Sequence, residues 1–139
     1  MALPRVLLAD DHAIVAEGLR LLLKDHCELV GTVADGPSLV TAATALRPDV
    51  IVADISMPGF DGLEAVRRIR AMGVPSKIVM LTMFADPDVA QEALTVGANG
   101  YVIKTSAGEE LLRAIRDVLA GGTYVTPLTF RDRKRRGSV

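Results

Sequence analysis

The chain has 139 residues, half of them apolar, about a quarter charged and 4% aromatic; that leaves room for one domain with a real core and hardly for two. The composition fits an α/β domain and excludes a disordered or disulfide-rich chain. No apolar run approaches the ~20 residues of a membrane span, and no charged segment leads into an apolar one at the start, so a cytoplasmic protein is expected. Net charge is −1, unevenly spread: residues 1–130 carry 11 Lys/Arg against 16 Asp/Glu (−5), residues 131–139 five against one (+4). The single cysteine, Cys27, has no partner for an internal disulfide and reads as a small core filler.

Arg5 to Ala9 is a short apolar strand that runs straight into Asp10, Asp11 and His12. From Ala13 the period changes, and Ile14, Val15, Leu19, Leu22 and Leu23 form a helical stripe that stops near His26. Glu28 to Ala34 reads as a second strand, turned by Asp35, Gly36 and Pro37 into a helix rich in Ala and Leu. Arg47 before Pro48 ends that helix, because the residue before proline disfavours the α region. Val50, Ile51, Val52 and Ala53 then form a strand apolar on both faces, as in a parallel sheet covered by helices, and it ends on Asp54 before a Pro/Gly-rich turn.

Gly62 to Met72 is helical by pattern, with Leu63, Val66 and Ile69 on the core face and Arg67, Arg68 and Arg70 expected towards solvent. Gly73, Val74 and Pro75 break the chain before a fourth buried strand, Lys77 to Leu81, which runs into Thr82. Asp86 and Pro87 suit an N-cap with proline at the first helical position, and this helix closes at Gly97. Gly100 to Ile103 is a fifth strand, ending at Lys104. Ser106 and Glu109 have capping-box spacing for a last helix that runs to Gly121 and Gly122. His26, at the end of the first helix, is favourably placed against the helix dipole and needs no further role.

Five strand–helix units in alternation predict an α/β fold, a doubly wound five-stranded parallel sheet with helices on both faces. Four of the five strands end at a polar group: Asp10/Asp11, Asp54, Thr82 and Lys104. In a parallel sheet these ends share one edge, the edge where open α/β sheets bind ligands. Each group alone has a bland explanation as a turn residue, a cap or a solvated side chain; joint occurrence at the same end of consecutive units favours a site. Three clustered carboxylates repel unless a cation joins them. All-oxygen ligands with no His or Cys select a hard ion, and Mg²⁺ suits a few carboxylates plus waters. Asp54 is also a candidate nucleophile towards a phosphoryl group, a chemistry that needs positioning and charge neutralisation above all. Mg²⁺ on one side and Lys104 on the other, with the Thr82 hydroxyl, can share the phosphoryl oxygens.

Asp10, Asp11, Asp54, Thr82, Tyr101 and Lys104 resemble, in order and spacing, the receiver domain of two-component response regulators, the CheY-like, flavodoxin-like (βα)5 class. The resemblance covers about residues 4–126. Asp10, Asp11 and His12 with Glu17, Gly18 and Leu19 are similar to the NarL/FixJ (LuxR-type) subfamily. So is the run from Gly100 to Lys104 that continues to Ala114, Ile115 and Arg116 and to Gly121, Gly122, Thr123 and Tyr124. The resemblance implies that Asp54 accepts a phosphoryl group from a phosphohistidine on a sensor histidine kinase. It implies that Asp11, Asp54 and the backbone carbonyl of Ser56 bind Mg²⁺ directly and Asp10 binds it through water. It further implies that Lys104 pairs with the phosphoryl group, and that Thr82 moves towards it while Tyr101 changes rotamer. That local electrostatic event would bias a two-state surface formed by the fourth helix, fifth strand and fifth helix.

Two positions, Ser56 and Phe84, modulate the site; Phe84 is expected to cover the phosphoryl group partly and slow its hydrolysis. His12 reads as capping or solvated and is assigned no ligand role. Residues 1–126 are expected to form the receiver, and 127–139 a basic tail or the start of a linker. Proteins of the subfamily carry a C-terminal helix-turn-helix domain, so DNA is an expected partner only through such a domain, absent from this sequence. The basic tail is read as a solvated segment, with weak contact to nucleic acid as the alternative. A phosphorylation-dependent homodimer is left open. The rival readings are a Mg²⁺-dependent small-molecule phosphatase or phosphotransferase and a scaffold that is never phosphorylated. Against the first, Ser56 stands where a second acid/base carboxylate would follow Asp54, so a switch controlling transcription is expected, not a metabolic enzyme.

Overall fold

The computed structural model describes residues 2–127; the basic tail at 131–139 lies outside them. The chain alternates β1 (Arg5–Ala9), α1 (Ala13–Leu23), β2 (Glu28–Val33), α2 (Gly36–Leu46), β3 (Val50–Asp54), α3 (Gly62–Ala71), β4 (Lys77–Thr82), α4 (Pro87–Val96), β5 (Gly100–Ile103), α5 (Ala107–Leu119) and β6 (Tyr124–Val125). All strands pair in parallel, in the order β2-β1-β3-β4-β5-β6.

Alternation along each strand divides the core into two layers, as the period of 2 requires. Leu7, Ile51, Ala53, Ile78, Met80 and Tyr101 face one way and meet Leu39 and Ala43 of α2, Val66 and Ile69 of α3 and Ala90 and Ala93 of α4. Val6, Leu8, Val50, Val52, Val79, Leu81 and Val102 face the other way, against Leu19 and Leu23 of α1 and Leu111, Ile115 and Val118 of α5. All five residues of β3 are buried. The helices start where the sequence says they do: Asp35, Asp61 and Asp86 each accept backbone N–H bonds at an N-cap, and prolines follow two of them.

Four local expectations are corrected. The sheet has a sixth strand, β6, which two residues are too short to announce by period. It is clipped on by Tyr124 N–H to the Asn99 carbonyl, Thr126 N–H to the Tyr101 carbonyl and Ile103 N–H to Thr126 Oγ1. Arg70 does not face solvent. Its guanidinium donates to the carbonyls of Gly97 (3.0 Å) and Val74 (2.8 Å) and to Asn99 Oδ1 (3.0 Å), because α4 ends nearby with orphan carbonyls that an arginine can reach. Ile14 is 89% exposed and Val15 borders on exposed, so the core stripe of α1 is Leu19 and Leu23. Ser106 makes no side-chain cap bond, because a 3₁₀ turn over Lys104–Ser106 leads into α5.

Candidate functional site

The strand order places the site. Sequence direction reverses between β1 and β3, and the crevice beyond their carboxyl ends is the ligand position of such sheets. Ala9 pairs with Ala53, so Asp10 and Asp54 emerge side by side. Asp54 pairs with Leu81, and Thr82 with Ile103, which delivers Thr82 and Lys104 to the same edge. Residues as far apart in sequence as Asp10 and Lys104 are thereby neighbours.

Lys104 is the hub. Its Nζ lies 2.7 Å from Asp54 Oδ2, to which it donates, and 3.2 Å from Asp10 Oδ2, and its side chain is 7% exposed. Burial works against the ammonium, but the hydrogen bond and charge of Asp54, followed by those of Asp10, outweigh it and hold its pKa above the ordinary lysine value. Asp54 Oδ1 accepts from the Ser56 N–H at 3.2 Å. Asp10 Oδ1 accepts from the His12 N–H at 2.8 Å. Asp10 Oδ2 is buried, with the Lys104 ammonium 3.2 Å away as its counter-charge. Asp11 is more open, its side chain 28% exposed.

Ligand atoms of Asp10, Asp11, His12 and Asp54 all fall within 4.8 Å of one another. Three carboxylates facing one ammonium leave negative charge uncompensated, which suits a hard cation, so the residues present fit one.

Thr82 and Tyr101 hold one residue, Phe84, by its N–H and by its carbonyl. The Phe84 N–H donates to Thr82 Oγ1 at 3.3 Å, and the Phe84 carbonyl accepts from the Tyr101 hydroxyl at 2.8 Å. Tyr101 is fully buried, and burial raises its pKa above the ordinary tyrosine value. Phe84 itself is 76% exposed. It stands on the rim of a cleft of about 390 Å³ lined also by Asp54, Ser56, Thr82, Tyr101 and Lys104. The turn after Asp54 is held by close packing: Gly62 N–H donates to the Ile55 carbonyl at 2.7 Å, and a Cβ on Gly62 would overlap the Asp54 carbonyl oxygen and lie 2.8 Å from Met80 Cε.

The structure therefore brings Asp10, Asp11, Asp54, Thr82, Lys104 and Tyr101 to one edge with Ser56 and Phe84 around it. Sequence reasoning discounted His12. It occupies the N-cap position of α1 without a side-chain cap bond, and its Nδ1 is 3.1 Å from Asp11 Oδ1. The signal available was its place directly after two acids at a strand end.

A parallel α/β sheet with an acid cluster at its switch point, answered by a lysine from the next-but-one strand, defines a receiver. The chain matches the response regulator receiver domain family over residues 6–116, and it belongs to that family. It is 40% identical over 124 residues to the oxygen regulatory protein NreC of Staphylococcus epidermidis, covering 87% of this chain and 57% of that protein. To NreC of Staphylococcus carnosus it is 38% identical, covering 88% and 58%. The chain thus spans somewhat more than half the length of these curated relatives. Among solved structures, a LuxR-family two-component response regulator from Aurantimonas sp. superposes with a TM-score of 0.88 at 33% identity, covering 99% of this chain and all of that one. The isolated receiver domain of RcsB from Salmonella enterica serovar Typhimurium, with the phosphomimetic BeF3−, gives 0.83 at 28%, covering 94% and 98%. Proteins of this family act as signalling switches and not as metabolic enzymes, and the chain is a receiver of the NarL/LuxR kind. No helix among the described residues is long and apolar enough to cross a membrane.

Proposed function

We propose that this receiver takes a phosphoryl group onto Asp54 and passes the change to a surface that selects its partners. The observation that carries the reading is the buried Lys104 ammonium held between Asp54 and Asp10 at the carboxyl edge of the sheet. A carboxylate oxygen of Asp54 forms the new O–P bond as the P–N bond of a kinase phosphohistidine breaks, and the departing imidazole keeps the electron pair. Lys104 is placed to turn from Asp54 towards the developing negative charge on the phosphoryl oxygens. Thr82 offers a hydroxyl from the neighbouring strand. Asp10, Asp11 and Asp54, with the Ser56 carbonyl, would hold Mg²⁺, which when bound supplies positive charge to the transferring group.

Phe84 shields the cleft from water, so the aspartyl-phosphate decays slowly. The receiver unit ends near residue 126, after β6, and the segment beyond leads towards an output domain. A LuxR-family response regulator from Staphylococcus aureus, 28% identical over 84% of this chain at a TM-score of 0.79, is described as DNA-binding. Transcriptional control through such a domain is the output we propose, with a sensor histidine kinase upstream.

The test is treatment with acetyl phosphate and Mg²⁺, followed by intact mass and oligomeric state. One phosphoryl group is expected per chain, and none in Asp54→Ala. No mass gain, or an equal gain in the variant, overturns the proposal.

A further inference from the structure

The family match ends at residue 116, yet a side chain beyond it is built into the sheet edge that carries Lys104. We propose that Thr126 is a positioning residue for Lys104, so that the segment after α5 sets how fast Asp54 takes a phosphoryl group. The inference rests on the reading of Asp54 as the acceptor and adds a residue to that site.

Local sequence fixes the hydroxyl. Thr126 precedes Pro127, which drives its backbone towards the extended region, and branching at Cβ leaves it few χ1 rotamers. It is a buried polar residue, 5% exposed. Its N–H donates to the Tyr101 carbonyl at 2.8 Å, and its Oγ1 accepts from the Ile103 N–H at 3.0 Å. β6 ends at Val125, so the hydroxyl serves Ile103 in the place of a further strand carbonyl.

Ile103 is the residue before Lys104. On its other side it pairs with Thr82 of β4, and directly after it the chain turns into the 3₁₀ segment Lys104–Ser106. The bond from Thr126 therefore sets where β5 ends and where the Lys104 side chain begins. That side chain has little room to compensate: it is 7% exposed and meets Asp54 Oδ2 at 2.7 Å and Asp10 Oδ2 at 3.2 Å. A shift of about 1 Å in a group that must meet the reacting atoms can cost about a hundredfold in rate. The acids of the site stand on and after β1 and β3, neither of which pairs with β6, so ion binding does not depend on Thr126.

The full chain is labelled with acetyl phosphate at saturating Mg²⁺ and followed by intact mass over time, and Mg²⁺ affinity is measured by calorimetry. Thr126→Val keeps the shape and loses the acceptor; it should label about tenfold more slowly, while Mg²⁺ affinity does not fall. Thr126→Ser keeps the hydroxyl and should restore most of the rate. Tyr124→Phe removes the bond from β6 to Glu110 without touching Ile103, and should label at the parent rate. Beside Lys104→Met, Thr126→Val should slow labelling no further and should lower the urea midpoint less than it does in the parent. A Thr126→Val chain that labels at the parent rate overturns the inference and leaves Asp54 as the acceptor. So does equal slowing in Tyr124→Phe, or further slowing beside Lys104→Met. If the parent gains no mass, the reading of Asp54 falls, and the urea comparison alone decides whether Thr126 positions Lys104: equal midpoint losses in the two backgrounds overturn it, and a smaller loss beside Lys104→Met upholds it.

Discussion

Replacing Lys104 with methionine tests the electrostatics of the site without any phosphoryl chemistry. The substitution keeps an unbranched apolar stem and removes the ammonium that sits 2.7 Å from Asp54 and 3.2 Å from Asp10. At an effective dielectric of about 20, those two attractions are worth roughly 6 and 5 kcal/mol before the cost of burying the charges is counted. Much of that is offset by desolvation, but breaking a buried pair from one side leaves the partner charge uncompensated, which costs about 3–5 kcal/mol. We expect Lys104→Met to lose that amount at pH 7 in metal-free buffer, roughly 10 °C in Tm for a chain of this size. Urea unfolding followed by far-ultraviolet circular dichroism at pH 7, 5.5 and 4 measures it. The deficit should shrink towards pH 4, as protonation discharges the stranded carboxylates, and millimolar Mg²⁺ should restore part of it. In the parent protein the sign runs the other way. The Lys104 pKa is raised on folding, so its contribution is complete below the unfolded value of about 10.5 and is lost only as pH climbs through the folded one. A deficit below about 1 kcal/mol at pH 7, or one that does not change with pH, refutes the reasoning.

Arg70→Met should destabilise by about 2–4 kcal/mol in urea unfolding, because three hydrogen bonds from one guanidinium are lost and the partly buried Val74 and Gly97 carbonyls are left to find water; a neutral result would show that these bonds are replaceable. Gly62→Ala should cost more than about 2 kcal/mol, since its Cβ must displace the Asp54 carbonyl or Met80, and weaker ion binding by calorimetry should accompany the loss. Alkaline spectrophotometric titration should show one tyrosine ionising only near 12, because burial and the Glu110 carboxylate 2.6 Å from its hydroxyl push up Tyr124. The stability this gives is complete below about pH 10 and lost as pH rises to 12, and Tyr124→Phe should abolish that titration step. Phe84→Ala should speed loss of the phosphoryl group several-fold, and an unchanged dephosphorylation rate would remove Phe84 from any shielding role.

How much of this was legible in the sequence depended on where each residue's partners lie. The strands β1, β3 and β4 announce themselves because burial on both faces leaves an unbroken apolar run, and the polar residue that ends each run is then conspicuous. Asp54, Thr82 and Lys104 could be assembled from topology alone, since parallel strands must bring their ends to one edge. Arg70 could not. By period it belongs with Arg67 and Arg68, which do reach Glu64 and Glu92 at the surface, and only the packing of α3 beside the end of α4 turns it inward. Ile14 failed in the opposite sense, fitting the helical stripe yet standing 89% exposed, with the buried residues of α1 confined to Leu19 and Leu23. His12 is half read by position: it stands at the N-cap with an exposed side chain, and its Nδ1 contact with Asp10 was not legible from spacing.

The same geometry says how an event at Asp54 would travel. Thr82 and Tyr101 do not simply stand near each other. They hold the N–H and the carbonyl of one residue, Phe84, in the loop that leads into α4. A Thr82 hydroxyl drawn towards an anion on Asp54 would give up the Phe84 N–H, and the loop would lose one of its two anchors while Tyr101 kept the other. Tyr101 is fully buried, so it cannot follow the loop without vacating core volume, and close-packed interiors resist gradual adjustment. Such a response would be two discrete packings rather than a graded shift. The Tyr101 carbonyl also anchors Thr126, so the second packing would be felt at β6, the last strand among the described residues. If Asp54 takes a phosphoryl group as proposed, the change in charge there would reach α4 and β6 together.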